Sequence, residues 1–181
     1  MAVSPHYGEL IETTVRVASW NLWWRFGPWE SRAPAILETL RRVDADVVCL
    51  QEVWGEGGET FAARLGDALG MHHAYSSRLE IDGVDFGNAV LSRWPITATE
   101  WWPLPAPVEL DEHRTVLVAD VDGPRGPLQV WCTHLNWRFD HSAIRQEQVR
   151  FIASKVADRR PRSYPPILCG DMNAAPDSDE I

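Results

Sequence analysis

PILCGDMN, residues 166–173, is the stretch on which the reading of this chain turns. Pro166 to Cys169 is a short apolar run before a glycine and predicts a strand. It leads into Gly170-Asp171-Met172-Asn173, where the two-residue period of extended backbone puts Asp171 and Asn173 on one side. Alone, Asp and Asn after Gly are ordinary turn chemistry. Three further predicted strands change that reading, because each ends in polar residues. Val15 to Leu22 (VRVASWNL) carries Asn21, Asp46 to Val53 (DVVCLQEV) closes with Gln51-Glu52, and Leu128 to Thr133 leads to His134 and Asn136. Strand ends hold side chains on a rigid frame while leaving them open to a ligand.

Working outward, Ser31 to Val43 predicts a helix, with Ala35, Ile36, Leu37, Leu40 and Val43 at helical spacing, Ser31 as N-cap and Pro34 in the first turn. A second helix is expected over Glu59 to Leu69, where Phe61, Leu65 and Leu69 recur and Gly70 closes it. Further strands are expected at Ala74 to Ser77, Asn88 to Leu91 and Thr115 to Val121. Trp101 to Val108 (WWPLPAPV), with three prolines, reads as an extended loop. A third helix spans about Ser142 to Asp158, with Ile144, Val149, Ile152 and Val156 inward and its Arg, Gln and Glu residues outward. Strands that follow one another with few helices between them predict an α+β architecture of packed sheets with helices outside.

The chain has 181 residues, 45% hydrophobic and 24% charged, with 17 Lys+Arg against 26 Asp+Glu and a net charge of −9. This is the balance of a soluble globular domain, and no apolar run approaches the roughly 20 residues of a membrane span. Residues 1–14 read as an N-terminal extension without signal-peptide character and 15–181 as one domain, with the cytoplasm as expected location. The acidic balance offers little long-range attraction to duplex DNA. Arg159, Arg160 and Arg162 fall close together and read as a solvated helix end, with a local basic surface as the alternative. Cys49, Cys132 and Cys169 lie in apolar runs without CxxC spacing, so they read as small buried hydrophobes, with zinc and redox roles not expected.

The residue types at the strand ends belong together chemically. Glu52 and Asp171 are hard oxygen donors, and Asn21 and Asn173 add neutral amides. An oxygen-rich set without a Cys/His cage suits Mg²⁺ or Mn²⁺. His134 can donate a proton to a phosphate oxygen or a leaving group. Asn136 sits at same-face spacing from it and is a candidate substrate contact. Arg114 is a second phosphate candidate, against a surface ion pair as the plainer reading. Asn88 either supports the site or fills a turn beside Gly87.

The ordered set Ser19-Trp20-Asn21, Leu50-Gln51-Glu52, Gly87-Asn88-Ala89-Val90-Leu91-Ser92, Thr133-His134-Leu135 and Gly170-Asp171-Met172-Asn173 resembles the endonuclease/exonuclease/phosphatase superfamily. The resemblance implies the deoxyribonuclease I-like fold, a four-layer sandwich of two packed mixed β-sheets flanked by helices, shared by nucleases, neutral sphingomyelinases, inositol phosphatases and deadenylases. It implies Glu52 as main metal ligand with Asn21 assisting, and Asp171 as the residue that orients or deprotonates the attacking water. Asn173 is then a phosphate-binding neighbour, and His134 stabilises the transition state. The implied reaction is in-line attack of water on a phosphodiester or phosphomonoester. The expected substrate is a small phosphoester, a lipid headgroup or single-stranded nucleic acid.

Family members carry a further aspartate and a C-terminal Asp/Ser-His pair beyond Gly-Asp-x-Asn, whereas this sequence ends at Ile181, eight residues after Asn173. The resemblance therefore implies a domain incomplete at its C-terminus, a fragment with a crippled site. A non-catalytic binding module is the rival reading, motivated by ten tryptophans. Of these, Trp20 and Trp131 are expected in the core. Trp23, Trp24, Trp29, Trp54 and Trp137 are candidates for cleft walls, and Trp101-Trp102 for an exposed patch.

Overall fold

The computed structural model describes residues 14–111, 113–159 and 164–181, so the expected N-terminal extension (Thr14 apart) and Arg160 and Arg162 fall outside the described residues. In chain order the elements are β1 (Val17–Asn21), α1 (Trp29–Val43), β2 (Val47–Glu56), β3 (Glu59–Thr60), α2 (Phe61–Leu69), β4 (His72–Ile81), β5 (Val84–Ser92), β6 (Ile96–Pro103), β7 (Thr115–Gly123), β8 (Gly126–His134), α3 (Ser142–Asp158) and β9 (Ile167–Asp171). One sheet runs β1-β2-β5-β4, with the short β3 on β2, and the other runs β6-β7-β8-β9. Both are mixed: β1 pairs with β2, and β8 with β9, in parallel, while the remaining pairs are antiparallel.

The two-residue period of the strands builds three cores from one set of sequences. In β2, Val48 and Leu50 face α1 and α2, meeting Ile36, Leu40, Phe61 and Leu65. The alternate residues Val47 and Cys49 face the other sheet and meet Leu117, Ala119, Val130 and Cys132. On the far side of the second sheet, Val116, Val118 and Trp131 receive Ile152 of α3. Helices, sheet, sheet and helix are the expected four layers. Strands buried on both faces read as continuous apolar runs, which is why VVCLQEV and LQVWCTH stand out in the sequence.

Several local expectations are corrected. Helix α1 starts at Trp29, with Pro28 at its cap position and no side-chain cap, and the Ser31 hydroxyl donates back to Pro28 O. Helix α2 starts at Phe61, because Thr60 is the N-cap and accepts from Ala63 N at 3.0 Å. Gly70 closes it in the left-handed region as expected, at φ +65°. The first part of the presumed loop at Trp101 is strand: β6 pairs with β7 through Pro103. Trp20 is 36% exposed and is not core, whereas Trp131 is fully buried. Trp102 stacks on Trp131 with ring centroids 5.8 Å apart, which leaves Trp101 as the exposed member of that pair. Arg159 is not solvated; it reaches Glu100 and Asp120.

Candidate active site

Parallel strands end at the same edge, so β1 with β2 and β8 with β9 each deliver their C-terminal residues together. Register pairs Asn21 with Gln51 and His134 with Asp171. Glu52 needs an extra device, because its neighbour Gln51 points between the sheets, where its amide donates to Cys132 Sγ. A break in the β2–β5 register between Leu50 and Val53, with Glu52 at φ +53°, supplies it. Such a bulge re-aims one side chain without ending the strand. On β9, Gly170 is required by close approach, since a Cβ there would collide with Thr133 O of β8.

These devices bring Asn21, Glu52, His134 and Asp171 together. The Asn21 amide nitrogen donates to Glu52 Oε1 and to Asp171 Oδ2, both at 2.9 Å. Asp171 Oδ1 accepts from the backbone N–H of Asn173 at 3.0 Å, and the Asn173 side-chain amide is anchored on Leu135 O. His134 is buried; its Nδ1 lies 2.9 Å from Arg114 Nη1, 4.0 Å from Glu52 Oε1, and its Nε2 is 3.7 Å from Asp171 Oδ2. A guanidinium only donates, so Nδ1 accepts and the ring proton sits on Nε2, on the Asp171 side. Burial, aided by the Arg114 charge, pulls the imidazole pKa down to about 3, so His134 is a neutral hydrogen-bond donor and not an imidazolium acid.

Glu52 is pushed the other way. Burial raises its carboxyl pKa, with the Asn21 hydrogen bond and Arg114 opposing, and its Oε2 is buried without a hydrogen-bond partner. A buried carboxylate oxygen left bare beside a second carboxylate is a fit for a hard cation. Among the described residues no group of three or more His, Cys, Asp or Glu forms a cage. Mg²⁺ needs none, because it binds through one or two carboxylates and keeps waters for the rest.

The other expected residues take different places. Arg114 contacts His134 and lies 5.9 Å over the Phe86 ring. Asn136 is buried and orders the β8–α3 loop: its N–H donates to Gln148 Oε1, and its Oδ1 accepts from Arg138 N. Asn88 stands apart, with its amide donating to Thr115 O and Oγ1 across the sheet interface. Among the tryptophans, Trp54 is core, stacked on Phe61 at 4.0 Å. Trp137 is exposed and, with Phe86, Arg114, Asn136 and Arg138, lines a cleft of about 200 Å³ next to His134. A larger groove of about 840 Å³ between α1 and α2 contains none of the chemistry-bearing side chains. Sequence reading passed over Phe86 and Arg32, and it turned Arg145 and Gln148 of α3 outward, whereas both are buried. The first faces the site from an apolar strand and the others act on backbone groups, so no pattern of residue types marks them.

A profile of the Endonuclease/Exonuclease/phosphatase family matches residues 18–181, and the chain belongs to that family. Members are hydrolytic phosphoesterases. The mouse protein angel homolog 2 is 28% identical over 162 residues, covering 83% of this chain and 30% of its own length, so this chain spans about a third of that relative. The crystal structure of ANGEL2, described as a 2′,3′-cyclic phosphatase in complex with adenosine-2′,3′-vanadate, superposes with a TM-score of 0.66 at 25% identity, over 91% of this chain and 54% of that one. The human Nocturnin catalytic domain shares the fold, with a TM-score of 0.77 at 24% identity over 92% of this chain and 66% of that one. No described helix is long and apolar enough to cross a membrane.

Proposed function

We propose that this chain carries the centre of a divalent-metal-dependent phosphoesterase, hydrolysing phosphodiester or phosphomonoester bonds by in-line attack of water. The observation that carries the reading is the Asn21 amide, which joins carboxylates from two different sheets, those of Asp171 and of Glu52 with its bare Oε2. Glu52 would hold Mg²⁺ or Mn²⁺, with Asn21 orienting it. Once bound, the ion supplies charge neutralisation on the phosphoryl oxygens. Asp171, its Oδ1 fixed by Asn173 N–H, orients and deprotonates the attacking water. His134 donates from Nε2 to a phosphoryl oxygen, while Arg114 fixes that tautomer and adds positive charge beside the phosphate.

The substrate reading is a phosphoester attached to a nucleoside. The cleft beside His134 combines two aromatic faces, Phe86 and Trp137, with the guanidinium groups of Arg114 and Arg138 in a protein of net charge −9, which suits a planar base with its phosphate. The adenosine-bound relative supports the same class. The test is hydrolysis by the full-length protein of 2′,3′-cyclic AMP, bis-p-nitrophenyl phosphate, sphingomyelin and inositol phosphates, with and without EDTA. EDTA-sensitive turnover that disappears in Asp171→Asn is expected. Turnover indifferent to both EDTA and that substitution overturns the reading. For the nucleoside, Trp137→Ala should raise KM on the order of tenfold with 2′,3′-cyclic AMP.

A further inference from the structure

The β1–α1 loop, residues 22–28, has a backbone that its own sequence disfavours. Trp23 and Trp24 sit at φ +60° and +37°, consecutive bulky residues in a region where a side chain crowds its own carbonyl. Conformations of this kind persist where surrounding contacts over-determine them, and they gather at functional sites. Here the over-determining group is Arg32, one turn into α1. Its Nη1 donates to Phe26 O at 2.7 Å, and its Nη2 donates to Trp23 O at 3.0 Å and to Trp24 O at 2.7 Å. The same guanidinium lies 5.2 Å from the Trp23 ring centroid. That ring in turn fills the space a Cβ on Gly27 would need, 3.1 Å from it.

The loop is tied to the site from its other side. Trp23 N–H donates to Asn21 Oδ1 at 2.9 Å, and Trp24 N–H donates to Glu52 O at 3.0 Å. The first bond decides which way the Asn21 amide faces. With Oδ1 held by Trp23, Nδ2 points at Glu52 and Asp171; a reversed amide would aim its oxygen at two carboxylates. The second bond anchors Glu52 at its own left-handed backbone angle.

We propose that Arg32 is a positioning residue of the site: by capping three carbonyls of the aromatic loop it holds the turn whose Trp23 N–H fixes the Asn21 amide between Glu52 and Asp171. The inference rests on the reading of Asn21, Glu52 and Asp171 as the metal-side group of a phosphoesterase. A lysine is no substitute, because its point charge lacks the planar fork that reaches three carbonyls together.

The test uses selective ¹⁵N-asparagine labelling, since the sequence has four asparagines and the Asn21 side-chain amide is identified by its loss in Asn21→Ala. In the wild type this amide should be shifted and slow to exchange. Arg32→Ala and the milder Arg32→Lys should both move it to solvent-like positions and weaken Mn²⁺ binding, followed by electron paramagnetic resonance, on the order of tenfold. Added guanidinium ion should restore both in Arg32→Ala. In an Asn21→Ala background, Arg32→Lys should weaken Mn²⁺ binding no further, because the coupling runs through the missing amide. An Asn21 amide unmoved in Arg32→Lys, or an Mn²⁺ loss fully additive with Asn21→Ala, overturns the proposal. If Arg32→Ala does not fold, Arg32→Lys decides through the same amide signal. A wild-type protein that neither binds Mn²⁺ nor hydrolyses any phosphoester sinks the functional reading, while the Asn21 amide signal still judges the positioning role alone.

Discussion

Two loops flank the site, one from each sheet, and an arginine from the following helix caps the carbonyls of each. In the β8–α3 loop, Arg145 donates to Arg138 O at 2.6 Å and lies within 3.5 Å of Asn136 O and Phe139 O. In the β1–α1 loop, Arg32 does the same for Trp23, Trp24 and Phe26. The difference is in the charge. Arg145 is neutralised by Glu180, 2.6 Å from its Nε, and the pair is almost fully buried. The Nε of Arg32 is buried without a hydrogen-bond partner, and among the described residues no carboxylate forms an ion pair with its guanidinium. One arginine is scaffold with its charge closed off by a carboxylate; the other directs its hydrogen bonds to backbone carbonyls alone.

The largest effect is expected where the two sides meet. His134→Ala, which removes the hydrogen-bond donor to the phosphoryl oxygen, and Asp171→Asn, which removes the base, should each lower turnover by a factor of about 10² to 10⁴, read as kcat under saturating Mg²⁺. If both variants keep wild-type turnover, the chemistry lies elsewhere and the comparison loses its centre. Next comes the scaffold arginine. Arg145→Met leaves Glu180 buried without its cation, which should cost about 3–5 kcal/mol of stability, measured by urea unfolding. Arg32→Met strands no buried carboxylate, so its stability loss should be clearly smaller. Equal losses would mean the two arginines do one job.

How much of this was legible beforehand depended on what each feature presents to the sequence. Strands buried on both faces announce themselves as apolar runs, so β2, β7 and β8 were found with nearly their true limits, and so was α3. Strand β6 was not, because ITATEWWP is mostly exposed and owes its form to backbone pairing with β7, which leaves no burial pattern to read. Likewise, the strand-end residues Asn21, Glu52, His134 and Asp171 were visible as residue types in order. The bulge that turns Glu52, the Arg114–His134 contact and both capping arginines depend on backbone geometry and three-dimensional approach. Asn88 was visible as part of a motif, yet its amide is committed to Thr115.

That commitment gives a smaller prediction at the junction of the two sheets. Asn88→Ala removes two donors from the buried Thr115 carbonyl and hydroxyl and should destabilise the fold by about 1–3 kcal/mol, read from the urea midpoint. Mn²⁺ affinity should stay unchanged, because Asn88 ties the sheets together without touching Glu52. A fall in metal affinity out of proportion to the stability loss would bring Asn88 back into the site.

The smallest effect is also the most diagnostic, because its sign should invert. Burial raises the Glu52 pKa, so in metal-free protein the folded state binds more protons than the unfolded chain around that titration, and stability falls as pH rises through it. Glu52→Gln removes the buried charge and keeps the shape, so in EDTA at neutral pH its Tm should lie above that of the wild type. The advantage should fade as pH drops into the carboxylate range, where Glu52 itself takes up a proton. With saturating Mg²⁺ the order should reverse, since only the native carboxylate draws stabilisation from ion binding, which grows with the logarithm of the ion concentration. Glu52→Gln with a lower Tm than wild type in EDTA, or with the same gap at every Mg²⁺ concentration, would show that the bare Oε2 is an ordinary strained acid and not a seat for a cation.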